Sequence, residues 1–444
     1  MNRCSEGAST KQEGGRVMGR IVGIISLCVF LCMAAANASD SVTAAQAGAV
    51  AEEACIYGFA PVLLEVQRQA FLRHQGGMNR LVVHGGPGRE IEAYLDLSRE
   101  PMVLCSPDAQ EAPFSFQVMD ARTNALTAHG QGCVALCGPQ WKGTLPGGLG
   151  RVNSSTNIAY LRGQWACDNA GVPERQFSLT PQARYGKGER LSPEKAEQGF
   201  PGRSSPLRQV LLMDMQAFYG RLAVFLKHTP VPRADSALVG RMAMIGIDRE
   251  TGFFDTSTLP TAARAEVERG LHRGMERIAR HAFAGFPASD GWMAVPREPL
   301  PVADHLARAA RAYLGIGGMP SGDGVWLVRT TDARGDGLTG AHSYLIRFGR
   351  NRIPPVQACW SLTVFDRKAC REYPGVTVGQ DALQKAADGS MKIFVRQHDP
   401  GTDERGIWVK APEGDFALML RFFQGAGGGS GGGSWYPEVE RASP

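Results

Sequence analysis

The chain changes its hydrophobic period three times, and that succession restricts it to a fold with separate β and α layers. Ser41 to His74 reads as a helix, with Val50, Ala54, Tyr57, Leu64 and Phe71 at helical spacing and Pro61 marking a kink or break. From Arg80 to Ala166, short apolar runs such as Pro101–Cys105, Phe114–Val118 and Cys133–Cys137 are punctuated by Gly, Pro and Asn, as strands are by turns. Gln182 to Pro206 is polar and Gly-rich and reads as an exposed loop. Helices are expected again at Leu207–Lys227, Ala234–Ile245, Thr261–Phe283 and Val302–Leu314. Strands follow at Val325–Thr330, Ser343–Phe348, Ala358–Phe365, Met391–Arg396 and Phe416–Phe423. A β-rich module, a helical middle and a second β-rich module predict an α+β fold.

The N-terminus carries an address rather than a fold element. Arg16 and Arg20 precede the apolar run Ile21–Ala35, which is too short to span a bilayer, and Ala36-Asn37-Ala38 supplies small residues for cleavage. Residues 1–38 are therefore expected to be a signal peptide cleaved after Ala38, with Met18 a plausible start and the mature protein periplasmic or secreted. The rest divides into an N-terminal module at 39–230, a linking region at 231–320 and a C-terminal module at 321–444. Removing Arg3, Lys11, Arg16 and Arg20 with Glu6 and Glu13 takes the net charge from +5 to +3. The remaining basic residues are scattered, which argues against a nucleic-acid partner. No later apolar run reaches the length of a membrane span, so no stable anchor is expected after cleavage.

Seven cysteines remain beyond the leader: Cys55, Cys105, Cys133, Cys137, Cys167, Cys359 and Cys370. In a strand, Cys133 and Cys137 stand about 13 Å apart, beyond disulfide reach. Buried thiols are the first expectation, and a disulfide joining Cys105 to Cys133 or Cys137 the second. No CxxC spacing or other ligand set points to a metal, and no motif implies a cofactor. The GGGSGGGS tract at Gly427–Ser434 reads as a flexible connector.

Three polar constellations are candidates for chemistry. Asp120-Ala-Arg-Thr123-Asn124 is followed by Gly138-Pro-Gln-Trp141-Lys142, and Ser154-Ser-Thr-Asn157 precedes a strand. Such residues at strand ends ordinarily bond backbone groups and fix turns. The third joins Trp360-Ser-Leu-Thr-Val-Phe-Asp366 to Gln397-His398-Asp399. Alternation places Trp360, Leu362 and Val364 on one face and Ser361, Thr363 and Phe365 on the other, and one of these faces is expected to be core and the other to line a groove. Asp120, His398 and Asp399 are the catalytic candidates, two carboxylates and an imidazole suited to acid–base work. Thr123, Asn124, Trp141, Lys142, Asn157 and Trp360 are the ligand-binding candidates.

These segments also resemble a known pairing. LDLSREPMVL (Leu95–Leu104), DARTN, GPQWKGTLPGG and SSTN resemble the first module, and IPPVQACWSLTVFD, ADGSMKIFVRQHDPG and WVKAPEGDFALMLRFF the second, of a bacterial exported two-module family. Its parts are the "domain of unknown function" families twelve-fifty-four and twelve-fourteen. The resemblance implies a β-rich first module, linking helices and a jelly-roll-like C-terminal sandwich, and it implies no established activity. The family's Asn-Asp-Thr-x-Tyr cluster before LDLS is replaced here by His84-Gly-Gly-Pro-Gly-Arg-Glu90-Ile-Glu92-Ala-Tyr94. That predicts an altered or lost site. The preferred expectation is a binding or accessory protein for a small molecule, glycan or peptide held between the modules. The alternatives are an extracytoplasmic hydrolase and a structural or assembly protein, a homo-oligomer among them.

Overall fold

The computed structural model describes residues 42–75, 77–84, 90–106, 114–127, 132–165, 177–188, 192–196, 205–284, 288–289, 291–294, 303–315, 324–350, 360–368, 370–378, 388–399, 406–423 and 436–442. The expected signal segment, Cys167, Cys359 and the Gly427–Ser434 tract lie outside these residues.

Six α-helices organise the described chain: α1 (Ala44–Gln75), α2 (Pro206–Leu211), α3 (Met215–His228), α4 (Ser236–Met242), α5 (Thr261–Ala284) and α6 (His305–Tyr313). Pro61 does not end α1, which runs on through it. Among the described residues α1 is long and apolar enough to cross a membrane, yet most of its side chains are buried inside the protein. The single helix expected over Leu207–Lys227 is two helices. Ser205 caps α2, with Pro206 at its first turn, and Asp214 caps α3 by accepting from the Ala217 amide at 2.7 Å. A capping carboxylate starts a new helix there instead of continuing the old one.

The N-terminal module is a sandwich of a six-stranded and a four-stranded sheet. The larger sheet runs Glu194–Lys195, Val82–His84, Glu90–Asp96, Ile158–Trp165, Phe114–Asp120 and Ala125–Thr127 in spatial order. The smaller runs Gly150–Asn153, Gly132–Cys137, Met102–Ser106 and Ser178–Pro181. Leu95, Leu104, Phe116, Leu136 and Phe177 fill the space between them. Cys105 and Cys133 face each other across antiparallel strands and form a disulfide with a Cα separation of 4.0 Å. The second expectation holds at this pair, while Cys55, Cys137 and Cys370 are buried free thiols.

The C-terminal module is likewise two sheets around one core. Trp360–Asp366 lies between Phe416–Phe423 and Arg371–Val378 in a six-stranded sheet. Met391–Arg396 and Tyr344–Phe348 form the centre of the four-stranded one. The four-stranded sheet ends in a parallel pair, Met391–Arg396 with Ile407–Lys410.

The helices bind the two sandwiches together. Leu64 and Phe71 of α1 cover Tyr94, Met119 and Tyr160 on the outer face of the N-terminal sheet. On the other side, Trp326, Val328, Phe365 and Met419 join the helical core. Phe365 meets Phe283 and Tyr313 at ring separations of 6.2 and 6.5 Å. The Phe365 face of the Trp360–Asp366 strand is therefore covered by helices, and the Trp360 face by the sandwich core, where one of the two was expected to line a groove. Both faces of that strand are core, which explains its nearly unbroken apolar run.

Candidate functional site

A groove enclosing about 650 Å³ opens where the strand ends of the N-terminal module meet α1 and α3. Its floor is made by Asp96, Ser98, Ala121, Thr156, Asn157 and Ile158, which belong to the polar motifs of the sequence. Those motifs tie the loops to one another. The Asp120 carboxylate accepts from the amides of Arg122 and Asn124, from Asn124 Nδ2 and from Ser155 Oγ, at 2.5–2.9 Å. The Ala121 amide donates to Thr156 Oγ1, and the Leu97 amide to the Asn157 carbonyl. Gly138 belongs to the same knot, since a Cβ there would stand 2.4 Å from the Leu97 carbonyl. A buried carboxylate with four donors is satisfied and holds a turn.

The walls are helical. Along α1, Leu64 and Glu65 are followed one turn later by Arg68 and Gln69; along α3, Gly220 and Arg221 by Val224 and Phe225. Both sets recur at one helix face. The opposite face of α3, with Phe218, Tyr219 and Leu222, is buried in the helical core. Glu65 is spent within its own wall, bridged twice by Arg68 at 2.7 and 2.8 Å and once by Gln69 at 2.8 Å. Gly220 is interior to α3, and outside its own helix no heavy atom lies within 4 Å of where its Cβ would be. Glycine costs a helix interior up to about 1 kcal/mol relative to alanine. At this position its absent side chain leaves groove volume.

The residues singled out in the sequence do not meet in one place. Asn157 lines the groove, and Asp120 supports the turn beside it. Thr123 takes the left-handed φ of +64° that this turn needs, and Asn124 Oδ1 accepts from Arg308 of α6 at 2.7 Å. Trp141 stacks under Arg151 at 4.9 Å, beyond the smaller sheet, and Lys142 beside it is exposed. Trp360 is 2% exposed and packs on Phe348 in the core of the other module. His398 and Asp399 are exposed beyond the end of the Met391–Arg396 strand. The groove's own Arg68, Gly220 and Arg221 went unread, because they sit on helices whose pattern signalled only burial.

The strands that carry His84 and Glu90–Tyr94 share an ionic group. Glu90, Glu92 and Tyr94 alternate on one face of their strand, joined there by His84 and by Tyr160 and Arg162 from the flanking strands. Arg162 bridges both oxygens of Glu90 at 2.8 and 2.9 Å, and His84 Nε2 meets Glu92 Oε1 at 2.6 Å. Burial alone would lower the His84 pKa, but the hydrogen bond and charge of Glu92, with the charge of Glu90, raise it. His305, at the start of α6 and 3.2 Å from Asp235, goes the other way: burial lowers it, aided by Arg308, against the pull of Asp235.

These opposite shifts give opposite pH effects on stability. Folding favours protonated His84, so its contribution is full below the ordinary imidazole value of 6.5 and is lost as pH rises through its higher folded value. Folding favours neutral His305, so its contribution is full above 6.5 and is lost as pH falls toward its lower folded value. In melting curves from pH 5 to 9, His84→Gln should flatten the alkaline side of the profile. His305→Gln should flatten the acid side. Unchanged slopes in both variants would exclude these histidines as its source.

Residues 90–180 match the family model described as Protein of unknown function (DUF1254), and residues 323–426 match Protein of unknown function (DUF1214). The chain thus carries both modules its motifs resemble. The fold is similar to that of the VPA0106 protein from Vibrio parahaemolyticus, with a TM-score of 0.55 and 18% identity over 89% of this chain and 100% of that one. A putative uncharacterized protein from Burkholderia cenocepacia shows a slighter likeness, with a TM-score of 0.37 and 12% identity over 86% of this chain and 87% of that one. No curated protein matches the sequence.

Proposed function

We propose that this is an exported binding or accessory protein whose ligand site is the groove between the N-terminal module and helices α1 and α3. The observation that carries the reading is Gly220, a glycine inside a helix that faces open groove rather than a close neighbour. A volume of about 650 Å³ falls in the range of small-molecule sites, and its mixed lining offers apolar contact with a few polar groups. Export draws support from the Cys105–Cys133 disulfide, which suits an oxidising compartment. On this reading the ligand lies beside the helical layer, where the sequence alone suggested a cleft between the two β modules. The hydrolase reading has less behind it. The Asp120 oxygens are occupied by donors, and His398 belongs to the other module.

Two substitutions at one position test the reading. Gly220→Ala should keep binding and raise stability by about 0.5–1 kcal/mol through helix propensity. Gly220→Phe should fill the groove and abolish the fluorescence of bound 1-anilinonaphthalene-8-sulfonate while the fold persists. Equal dye binding by the phenylalanine variant and the parent would refute the groove as the site.

A further inference from the structure

The charge on the groove walls narrows the ligand's chemistry, an inference that rests on the groove reading above. Among the described residues, five titratable side chains line the groove: Glu65, Arg68, Asp96, Arg221 and His228. Glu65 and Arg68 neutralise each other within α1. Asp96 turns one carboxylate oxygen onto the Ser98 amide at 2.9 Å, closing its own loop. Arg221 is different. Its Nη1 donates to the Ala217 carbonyl one turn back at 2.9 Å, and it forms no ion pair among the described residues. Arg221 thus brings to the groove a guanidinium with no carboxylate partner among the described residues, and a guanidinium is satisfied best by a carboxylate or phosphate. His228 lies two turns on along the same face.

Beside Arg221 the lining is apolar. Val62 and Leu64 stand on α1, Ile158 on the floor, and Val224 on α3 with 51% of its surface exposed. A large apolar side chain left open one turn from an unpaired cation fits a ligand with both characters. We propose that the groove binds a single-chain anionic amphiphile, its carboxylate or phosphate head at Arg221 and its apolar body along Leu64, Ile158 and Val224. Gly220, next to Arg221, leaves room for the head to approach the helix.

Isothermal titration with four ten-carbon probes, each below its micelle-forming concentration, tests this: decanoate, decyl phosphate, decyl maltoside and decyltrimethylammonium. The anions should bind tighter than the neutral and cationic probes, and the tighter anion identifies the preferred head. Arg221→Gln should weaken the anions about 10- to 100-fold, the scale of one charge-assisted hydrogen-bond set. It should leave the maltoside unchanged, and Arg221→Lys should recover much of the anion affinity. Equal binding of anion and cation, or no effect of Arg221→Gln, would overturn the inference. If Gly220→Phe still abolished every probe in that case, the groove reading would stand without it. Probes that bind Gly220→Phe as they bind the parent would remove both.

Discussion

Gly270→Leu is expected to unfold the protein, and Gly270→Ala to destabilise it by about 1–3 kcal/mol despite alanine's better helix propensity. Gly270 lies where α5 meets α1. A Cβ there would stand 2.5 Å from the Gly48 carbonyl oxygen and 2.6 Å from the Ala51 Cβ. One turn later, a Cβ at Gly274 would lie 2.6 Å from the Cys55 Cβ. Two helices approach this closely only when small residues face each other along the seam. Backbone cannot move aside as a long side chain can, so the added methyl must push α1 and α5 apart. Because α1 also supports the outer face of the N-terminal sheet, that strain would reach beyond the helices. Urea denaturation gives the test in a form that isolates packing. The same Gly→Ala change should destabilise at position 270 and stabilise at position 220, where only open groove lies ahead. The same sign at both sites would mean that α1 and α5 are not in contact as described.

Cys55 belongs to that seam and shows what a buried thiol does here. Burial pushes its pKa up, with the charge of Glu52 acting in the same direction. It remains a protonated thiol filling a small space. The expectation of structural thiols therefore holds at Cys55, whereas Cys105 was claimed by a partner directly across the sheet.

The fold was legible because periodicity reports burial, and burial decides most of this architecture. Met391–Arg396 and Phe416–Phe423 occupy the residues expected of them, and α5 differs from expectation by one. What escaped was decided by short polar signals. Asp214 reads as one more charge in a helix until its side chain caps the next one. The groove escaped for a different reason. Its two helical walls lie some 150 residues apart, and neither wall has a local pattern that marks a ligand. Gly220 looks like a weak point of a helix and Arg221 like a solvated charge. Conversely, His398 and Asp399 are adjacent in the chain and suggest a dyad, yet they stand on an exposed turn. The ionic group around Glu90 was not legible because Arg162, the partner of Glu90, comes from a strand some 70 residues later.

That pair gives the other large expected effect, in which pH dependence changes sign. The Glu90 and Arg162 side chains are 28% and 22% exposed, so water screens their bridge only in part. Burial would raise the Glu90 pKa, but the charges of Arg162 and Arg421 and the bridge itself hold it below the ordinary value of 4.5. In the native protein its contribution is thus present above pH 4.5 and lost as pH falls through the lower folded value. Arg162→Met should remove about 2–4 kcal/mol at pH 7, because it leaves a half-buried carboxylate beside Glu92 without its main counter-charge. Burial then dominates and the Glu90 pKa rises. The protonated acid becomes the form that folding favours, so the variant should lose stability as pH climbs above 4.5, the reverse of the parent's dependence. Adding Glu90→Gln to Arg162→Met should recover much of the loss, since the unmatched carboxylate is gone and Glu92 keeps its bond to His84. Guanidinium denaturation of the parent, both single variants and the double variant at pH 5 and pH 7.5 measures all of this. Additive losses, or an Arg162→Met protein that is more stable at pH 7.5 than at pH 5, would show that the bridge is solvated and the cluster carries no such strain.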